Sequence, residues 1–435
     1  MEHYHKNTIF AFKHVTSMAK KPFTPIPPMA ELPPAEEIDV RELLDKYLSG
    51  EIDLICVLGP TASGKTRYAV KLARQLNDLL QKRSLSIQEN SENVPQSWSQ
   101  EKEISPHRPH EGHQNEDRLL ASASEKRATP LAAGVVNDQQ TAQWAFAASS
   151  RSEGVGGVLF AAGANNRYGA EIISADSRQV YRGMDIGTGK DLSEYEEIPY
   201  HLMDIVDAGT KYNIFEYQRD FEKAYKDIVG RGGIPILCGG SGLYIEAATC
   251  GYSLPEVPPD PELRAELEKK SDEELIAQLA ALKPLHNSTD YDTRKRLIRA
   301  LEIAIYEAAH PVQRTSFLPK NTYYIGTLVT REERNARIDR RLDARLEEGM
   351  VEEIKGLIDG THPALAPDHK PISAEDLIYY GLEYKFVTLY LIGQLTFEEM
   401  RNQLATAIHQ FAKRQMTWFR GMERKGIRIH WTTVR

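Results

Sequence analysis

Lys65 and Thr66 close the run Gly59-Pro60-Thr61-Ala62-Ser63-Gly64-Lys65-Thr66, which fits the pattern G-x-x-x-x-G-K-[ST]. Successive backbone N–H groups at the start of a helix form a concave anion site, and the glycines let that backbone approach its ligand closely. Lys65 adds a point charge, and the Thr66 hydroxyl is the group that can hold Mg²⁺. The ligand implied is a di- or triphosphate; the loop alone does not say which.

Such a loop works only between a buried strand and a helix. The apolar run Leu54-Ile55-Cys56-Val57-Leu58 supplies the strand, and residues 67–76, with Ala69, Val70, Leu72 and Ala73, supply the helix. A second strand, Ala170-Glu171-Ile172-Ile173-Ser174-Ala175-Asp176, ends in an acidic residue and is followed by Ser177-Arg178-Gln179. A third, Ile234-Pro235-Ile236-Leu237-Cys238, runs into Gly239-Gly240-Ser241-Gly242-Leu243-Tyr244. Ligands of open α/β sheets sit outside the carboxyl ends of strands, so three strand ends converge on one crevice, with Asp176 beside the phosphate loop. Taken alone, Asp176 suits three roles: a metal-holding carboxylate, a general base, or a structural cap.

The 435 residues, 41% hydrophobic, suffice for a large core and two or three domains. No stretch reaches about 18 consecutive apolar residues, which excludes a membrane-spanning helix on hydropathy. The three cysteines, Cys56, Cys238 and Cys250, are scattered. They read as small hydrophobes of a reducing, cytoplasmic protein, with no disulfide frame or zinc pattern.

The composition divides the chain. Residues 1–50 are read as a poorly ordered extension, mildly basic at first and proline-rich over residues 24–34, without the apolar core of a secretory signal. Residues 51–78 and 169–253 form the first part of an α/β core. Between them, residues 79–168 lose apolar periodicity in favour of Ser, Gln, Glu, Asn and His, and are read as a low-complexity, disordered insertion. Residues 254–320 carry leucine and isoleucine at helical spacing and are read as a small inserted helical subdomain. Residues 321–435 return to the core with a strand and then helices, expected at residues 338–358, 374–392 and 397–420. Trp418 and Phe419 are read as core residues, with base stacking as the alternative. The expected fold is thus a P-loop NTPase-like parallel sheet flanked by helices, with a helical insertion.

Net charge is −8, yet the sign is local. Residues 294–345 hold twelve Lys plus Arg against six Asp plus Glu, and residues 401–435 hold eight against one. Local basic surface of this kind suits a nucleic-acid backbone, although a solvated helix face has the same signature.

Several motifs, in order, resemble the bacterial tRNA dimethylallyltransferases. They are Gly59 to Thr66; Ile172-Ile173-Ser174-Ala175-Asp176-Ser177-Arg178-Gln179-Val180-Tyr181-Arg182-Gly183 and its continuation to Lys190; and His201-Leu202-Met203-Asp204. Further on come Gly239 to Tyr244, Arg294-Lys295-Arg296-Leu297-Ile298-Arg299-Ala300-Leu301-Glu302, and Ala412-Lys413-Arg414-Gln415-Met416-Thr417-Trp418-Phe419-Arg420. The resemblance covers residues 52–78 and 169–428.

The resemblance implies a prenyl transfer in which N6 of the adenine at tRNA position 37 attacks C1 of dimethylallyl diphosphate and diphosphate leaves. The loop from Gly59 to Thr66 then holds the diphosphate, with Mg²⁺ on Thr66. Asp176 is implied as general base, Thr61 as a neighbour of the reacting centre, and Arg337 as part of the diphosphate site. Asp176, Ser177, Arg178, Gln179, Ser241, Arg264, Lys295, Arg296, Leu297, Ile298 and Arg299 are implied to meet the anticodon stem-loop. Ser241 stands where the family commonly has Thr, Lys295 where it often has Gln, and the insertion at 79–168 replaces a short turn. A monomer is expected. A small-molecule P-loop kinase, an adenylate dimethylallyltransferase and a non-catalytic RNA-binding protein share parts of this pattern, but not the Asp-Ser-Arg-Gln segment together with the basic helical segments.

Overall fold

The computed structural model describes residues 32–92, 169–251, 257–283, 293–310, 319–365 and 370–434, with only backbone for 87–92. Residues 1–31, most of the 79–168 insertion and the start of the proline-rich link near Leu254 lie outside the described residues, whereas Val40–Leu48, within the extension expected to be poorly ordered over 1–50, is a helix that buries Leu43 and Leu44. Contacts divide the chain into two units, Met1–Gln81 with Gly163–Arg435, and Lys82–Ala162. Every described strand belongs to the first unit.

In chain order the helices are α1 Val40–Leu48, α2 Lys65–Glu92, α3 Ile214–Gly230, α4 Gly242–Thr249, α5 Pro261–Leu267, α6 Asp272–Leu282, α7 Arg294–Ala309, α8 Arg331–Glu347, α9 Met350–Asp359, α10 Ala374–Tyr380, α11 Leu382–Leu391 and α12 Phe397–Arg424. The strands are β1 Leu54–Leu58, β2 Ala170–Ala175, β3 Tyr181–Arg182, β4 Tyr200–His201, β5 Val206–Asp207, β6 Ile234–Gly239, β7 Thr322–Leu328 and β8 Ile429–Thr433. Six of them form one sheet in the order β4-β2-β6-β1-β7-β8, every pairing parallel.

A parallel sheet with helices on both faces needs strands that are apolar on both sides. All five residues of β1 are buried accordingly. Leu54, Cys56 and Leu58 join one core with Tyr217 and Phe221 of α3 and Met416 and Phe419 of α12. Ile55 and Val57 point the other way, into a core with Leu43 and Leu44 of α1 and Val70, Leu72 and Leu76 of α2. A third core holds α8 to α12 against the 180–184 segment. The fourth is small and belongs to α5, α6 and α7, where Leu267, Leu275, Leu279, Leu297, Ile298 and Leu301 meet.

Two expected long helices are each broken by a glycine. Gly349, at φ +103°, separates α8 from α9, and Gly381, at φ +78°, separates α10 from α11. L residues rarely adopt such angles, so the chain turns there despite continuous apolar spacing. Phe419 is buried as expected, whereas Trp418 is 40% exposed. Adjacent helical residues lie about 100° apart, so the two rings do not share one face.

Candidate active site

The order of the central strands is what assembles the site. β2, β6 and β1 are neighbours, so Asp176, the Gly239 turn and the phosphate loop leave the sheet at the same edge. The approach of β2 to β6 depends on Gly239, where a Cβ would stand 2.2 Å from the Ala175 carbonyl oxygen. Together these ends line a cleft of about 470 Å³.

Thr61, Ala62, Gly64, Lys65, Thr66, Asp176, Gln179 and Arg337 all line that cleft. Ala62 and Gly64 take positive φ, +61° and +81°, which curls the loop before α2 begins at Lys65. Gly59, Pro60 and Ser63 shape the loop from beneath. A Cβ on Gly59 would lie 2.1 Å from Thr327 Oγ1, and the fully buried Ser63 hydroxyl pairs with Thr327 Oγ1 at 2.6 Å.

Lys65 is half-buried at the cleft wall, and burial pulls its ammonium below the ordinary lysine value while Asp176 works in the opposite sense. Arg341 donates to the Thr61 hydroxyl. Burial, and then the like charge of Arg345, push Arg341 down to about 10, which leaves it cationic at neutral pH. Arg337 pairs with Glu333 at 2.7 Å while still facing the cleft, so the ion pair and the cleft position coexist. The cleft therefore brings four cations, Lys65, Arg67, Arg337 and Arg341, to one loop of backbone amides.

Opposite them stand carboxylates. Asp176 accepts the Arg178 amide N–H at 2.9 Å, a turn that fixes the side chain at the strand end. Asp191 and Glu194 line the same cleft, and burial followed by the charge of Asp191 raises Glu194 above the usual carboxylate range. Thr66 is beside the Tyr195 hydroxyl. These donors are all oxygen, which suits Mg²⁺, an ion that usually takes one or two protein ligands and completes its shell with phosphate and water. Among the described residues no group of three carboxylates, histidines or cysteines forms a closed cage.

The 176–191 segment is held from behind. Gln179 accepts from Ser174 Oγ at 3.0 Å and donates to the Gly189 carbonyl at 3.2 Å. The buried Glu353 carboxylate of α9 accepts the amides of Asp185, Ile186 and Gly187 at 3.0, 2.7 and 3.1 Å, and the Tyr384 hydroxyl at 2.7 Å. The fully buried Lys190 ammonium donates to the Tyr181 carbonyl and Asp185 at 2.6 Å each, and also to Asp204.

The residues expected to meet RNA are not treated alike. Ser241 accepts the Ser177 amide at 3.2 Å, tying the two strand ends together. Arg178 stacks on the Tyr380 ring at 5.6 Å. Lys295 and Arg296 are exposed at the start of α7. Leu297 and Ile298 are not surface residues; they are 1% and 4% exposed in the small helical core, so their side chains hold α7 in place. Arg264 and Arg299 converge on the buried Glu302, Arg264 through two hydrogen bonds of 2.9 and 2.8 Å. Arg299 also donates to the Val257 carbonyl at 2.9 Å. In this arrangement both arginines brace the helical unit, because a buried carboxylate requires compensating donors.

Sequence reasoning missed Asp191, Glu194 and Arg341, which line the cleft, and Gln415, which braces it. Arg341 lies four residues after Arg337, so one helix face carries both, a spacing that α8 periodicity could have disclosed. Gln415 donates to the Gly240 carbonyl at 2.8 Å and accepts the Thr61 amide at 2.8 Å, joining two loops of the cleft from α12. Its position within Ala412 to Arg420 was visible, but not what it bridges.

The IPP transferase family model matches residues 179–422. tRNA dimethylallyltransferase 1 of Porphyromonas gingivalis is 59% identical over 269 residues, 61% of this chain and 86% of that protein. tRNA dimethylallyltransferase 2 of Bacteroides fragilis is 55% identical over 281 residues, 63% of this chain and 88% of that protein. A solved eukaryotic dimethylallyltransferase acting on tRNA superposes with a TM-score of 0.51 at 19% identity, covering 84% of this chain and 69% of that one, a likeness of fold. With more than half of its length matched, the chain belongs to the IPP transferase family.

Proposed function

We propose that the chain transfers the dimethylallyl group of dimethylallyl diphosphate to N6 of the adenine at tRNA position 37, releasing diphosphate. The observation that carries this reading is the meeting in one cleft of an anion cradle, four cations and a carboxylate at the neighbouring strand end.

The N6–C1 bond forms as the C1–O bond to diphosphate breaks. Negative charge grows on the departing diphosphate, where the loop amides, Lys65, Arg337 and Arg341 oppose it. Thr61, oriented by Gln415 and Arg341, sits beside the reacting centre. The amine, acidified as it attacks, passes its proton to Asp176. Thr66, with Asp176 and Glu194 near it, would hold a Mg²⁺ ion that neutralises diphosphate charge when bound. An adenine inside a stacked anticodon loop is out of reach of such a cleft, so the base enters unstacked, past Ser177, Arg178 and Gln179.

The test is direct. The protein, labelled dimethylallyl diphosphate and unmodified tRNA are incubated in parallel with AMP, ADP or ATP as acceptor. Label should appear in the tRNA alone. Label in the free adenylate would overturn the acceptor, and γ-phosphoryl transfer from ATP without prenyl transfer would overturn the reaction class.

A further inference from the structure

Tyr379, at the exposed end of α10, is 56% exposed, unusual for so large a ring in a folded protein. Two lysines from distant parts of the chain address it. Lys211, between β5 and α3, and Lys295, at the start of α7, each place Nζ 6.0 Å from the ring centroid. Both lysines are exposed, and neither makes an ion pair with an acidic residue among the described residues. The ring is also continuous with the active site. It meets Tyr380 edge-on at 6.2 Å, Tyr380 carries the Arg178 guanidinium at 5.6 Å, and the Arg178 amide is bonded to Asp176. Tyr380 is rigidly set, its hydroxyl accepting from the Gly209 amide and donating to the Thr210 carbonyl, both at 2.8 Å.

An exposed ring with unpaired cations around it has the composition of a single-stranded RNA site: a π face for a base and ammonium groups for the phosphates beside it. We infer that Tyr379, with Lys211 and Lys295, forms a stacking platform for an unpaired nucleotide flanking the one that enters the cleft. The inference rests on the proposed tRNA reaction and adds to it a residue that sets how the flanking strand is held. Lysines now lying over the ring would turn to phosphate as the base takes their place. The competing role is a latch that joins α7 and the 211 loop to α10 with no RNA contact.

The experiment uses the full chain and an RNA hairpin carrying the anticodon-loop sequence. Hairpin affinity without donor, transfer kinetics and thermal stability are measured for the wild type, Tyr379→Ala, Tyr379→Phe and the pair Lys211→Ala with Lys295→Ala. Expected are a hairpin Kd weakened roughly tenfold or more in Tyr379→Ala, as alanine replacement of a stacking aromatic generally produces, and near-wild-type binding in Tyr379→Phe. The KM for dimethylallyl diphosphate and the Tm stay unchanged. The double lysine variant should lower the salt dependence of binding by roughly one to two phosphate contacts. Hairpin affinity within twofold of wild type in Tyr379→Ala overturns the platform, and so does a fall in Tm with both KM values altered, which identifies a latch. If the wild type binds the hairpin without transferring label to it, the reaction assignment fails while the platform stands.

Discussion

At the scale of single residues, the cleft sets a half-buried lysine near a carboxylate that has no cation at hydrogen-bonding distance among the described residues. Asp176→Asn keeps the turn acceptor for the Arg178 amide but loses the basic oxygen. Transfer should fall by about 10²–10⁴, the usual worth of a general base, with tRNA affinity nearly unchanged. Single-turnover rates with tRNA binding in parallel check this, and an undiminished rate would remove Asp176 from the chemistry. Lys65 leads to a pH statement. Burial holds its pKa below 10.5, so the folded apo protein binds fewer protons there than the unfolded chain as pH approaches that value. The penalty for keeping Lys65 charged is full below its folded pKa and is relieved as pH rises through it. A bound diphosphate favours the charged form, so pyrophosphate affinity should weaken with alkalinity before 10.5 is reached. A flat profile across that window would show that Lys65 does not contact the anion. Arg341 donates an ionic hydrogen bond of the kind worth about 1.5–3 kcal/mol, so Arg341→Gln should raise the donor KM about tenfold or more.

At the scale of elements, the sheet was readable because a buried parallel strand declares itself as a short apolar run. Leu54 to Leu58, Ala170 to Ala175 and Ile234 to Gly239 lie within a residue of the expected limits. What the runs did not reveal was tertiary. Spacing alone cannot tell whether an arginine on α5 or α7 has a buried partner, and Glu302 is that partner for Arg264 and Arg299. Nor does local sequence show that Gln415, in α12, will bridge Thr61 and Gly240, more than 170 residues from either. Glu302 is the most consequential of these. Burial pushes its pKa up, but Arg264, the Asp260 amide and Arg299 outweigh that and hold it below 4.5. A depressed carboxylate contributes stability above its unfolded value, lost as pH falls through the folded one. Glu302→Ala should therefore loosen α5 and α7 by about 2–3 kcal/mol, less than a fully buried pair because the arginines are partly exposed. Amide exchange confined to α5–α7, with weaker tRNA binding and unaltered donor binding, is the expected signature. An RNA affinity unchanged despite that loosening would detach the helical unit from tRNA recognition.

At the scale of the whole molecule, an acidic chain handles an RNA by segregating its charge, and it carries a long excursion without losing its sheet. The geometry at the ends of that excursion explains the second point. Asn77, about three turns into α2, accepts the Ala170 amide at the first residue of β2 at 2.7 Å, and a Cβ on Gly169 would stand 2.4 Å from the same Asn77 oxygen. The start of β2 is thus tied directly to α2, which itself continues to Glu92, so the sheet places no demand on the length of chain beyond that contact. Replacing residues 82–168 with a short Gly/Ser turn should leave β1 and β2 separated only by β6, the cleft intact, and transfer within about twofold of the full chain. Loop closure costs about 0.6 kcal/mol per doubling of length, so the shortened protein should gain about 2 kcal/mol in urea unfolding. A shortened protein that folds with that gain but fails to modify tRNA would give the excursion a part in RNA recognition; one that fails to fold would show that the core leans on it.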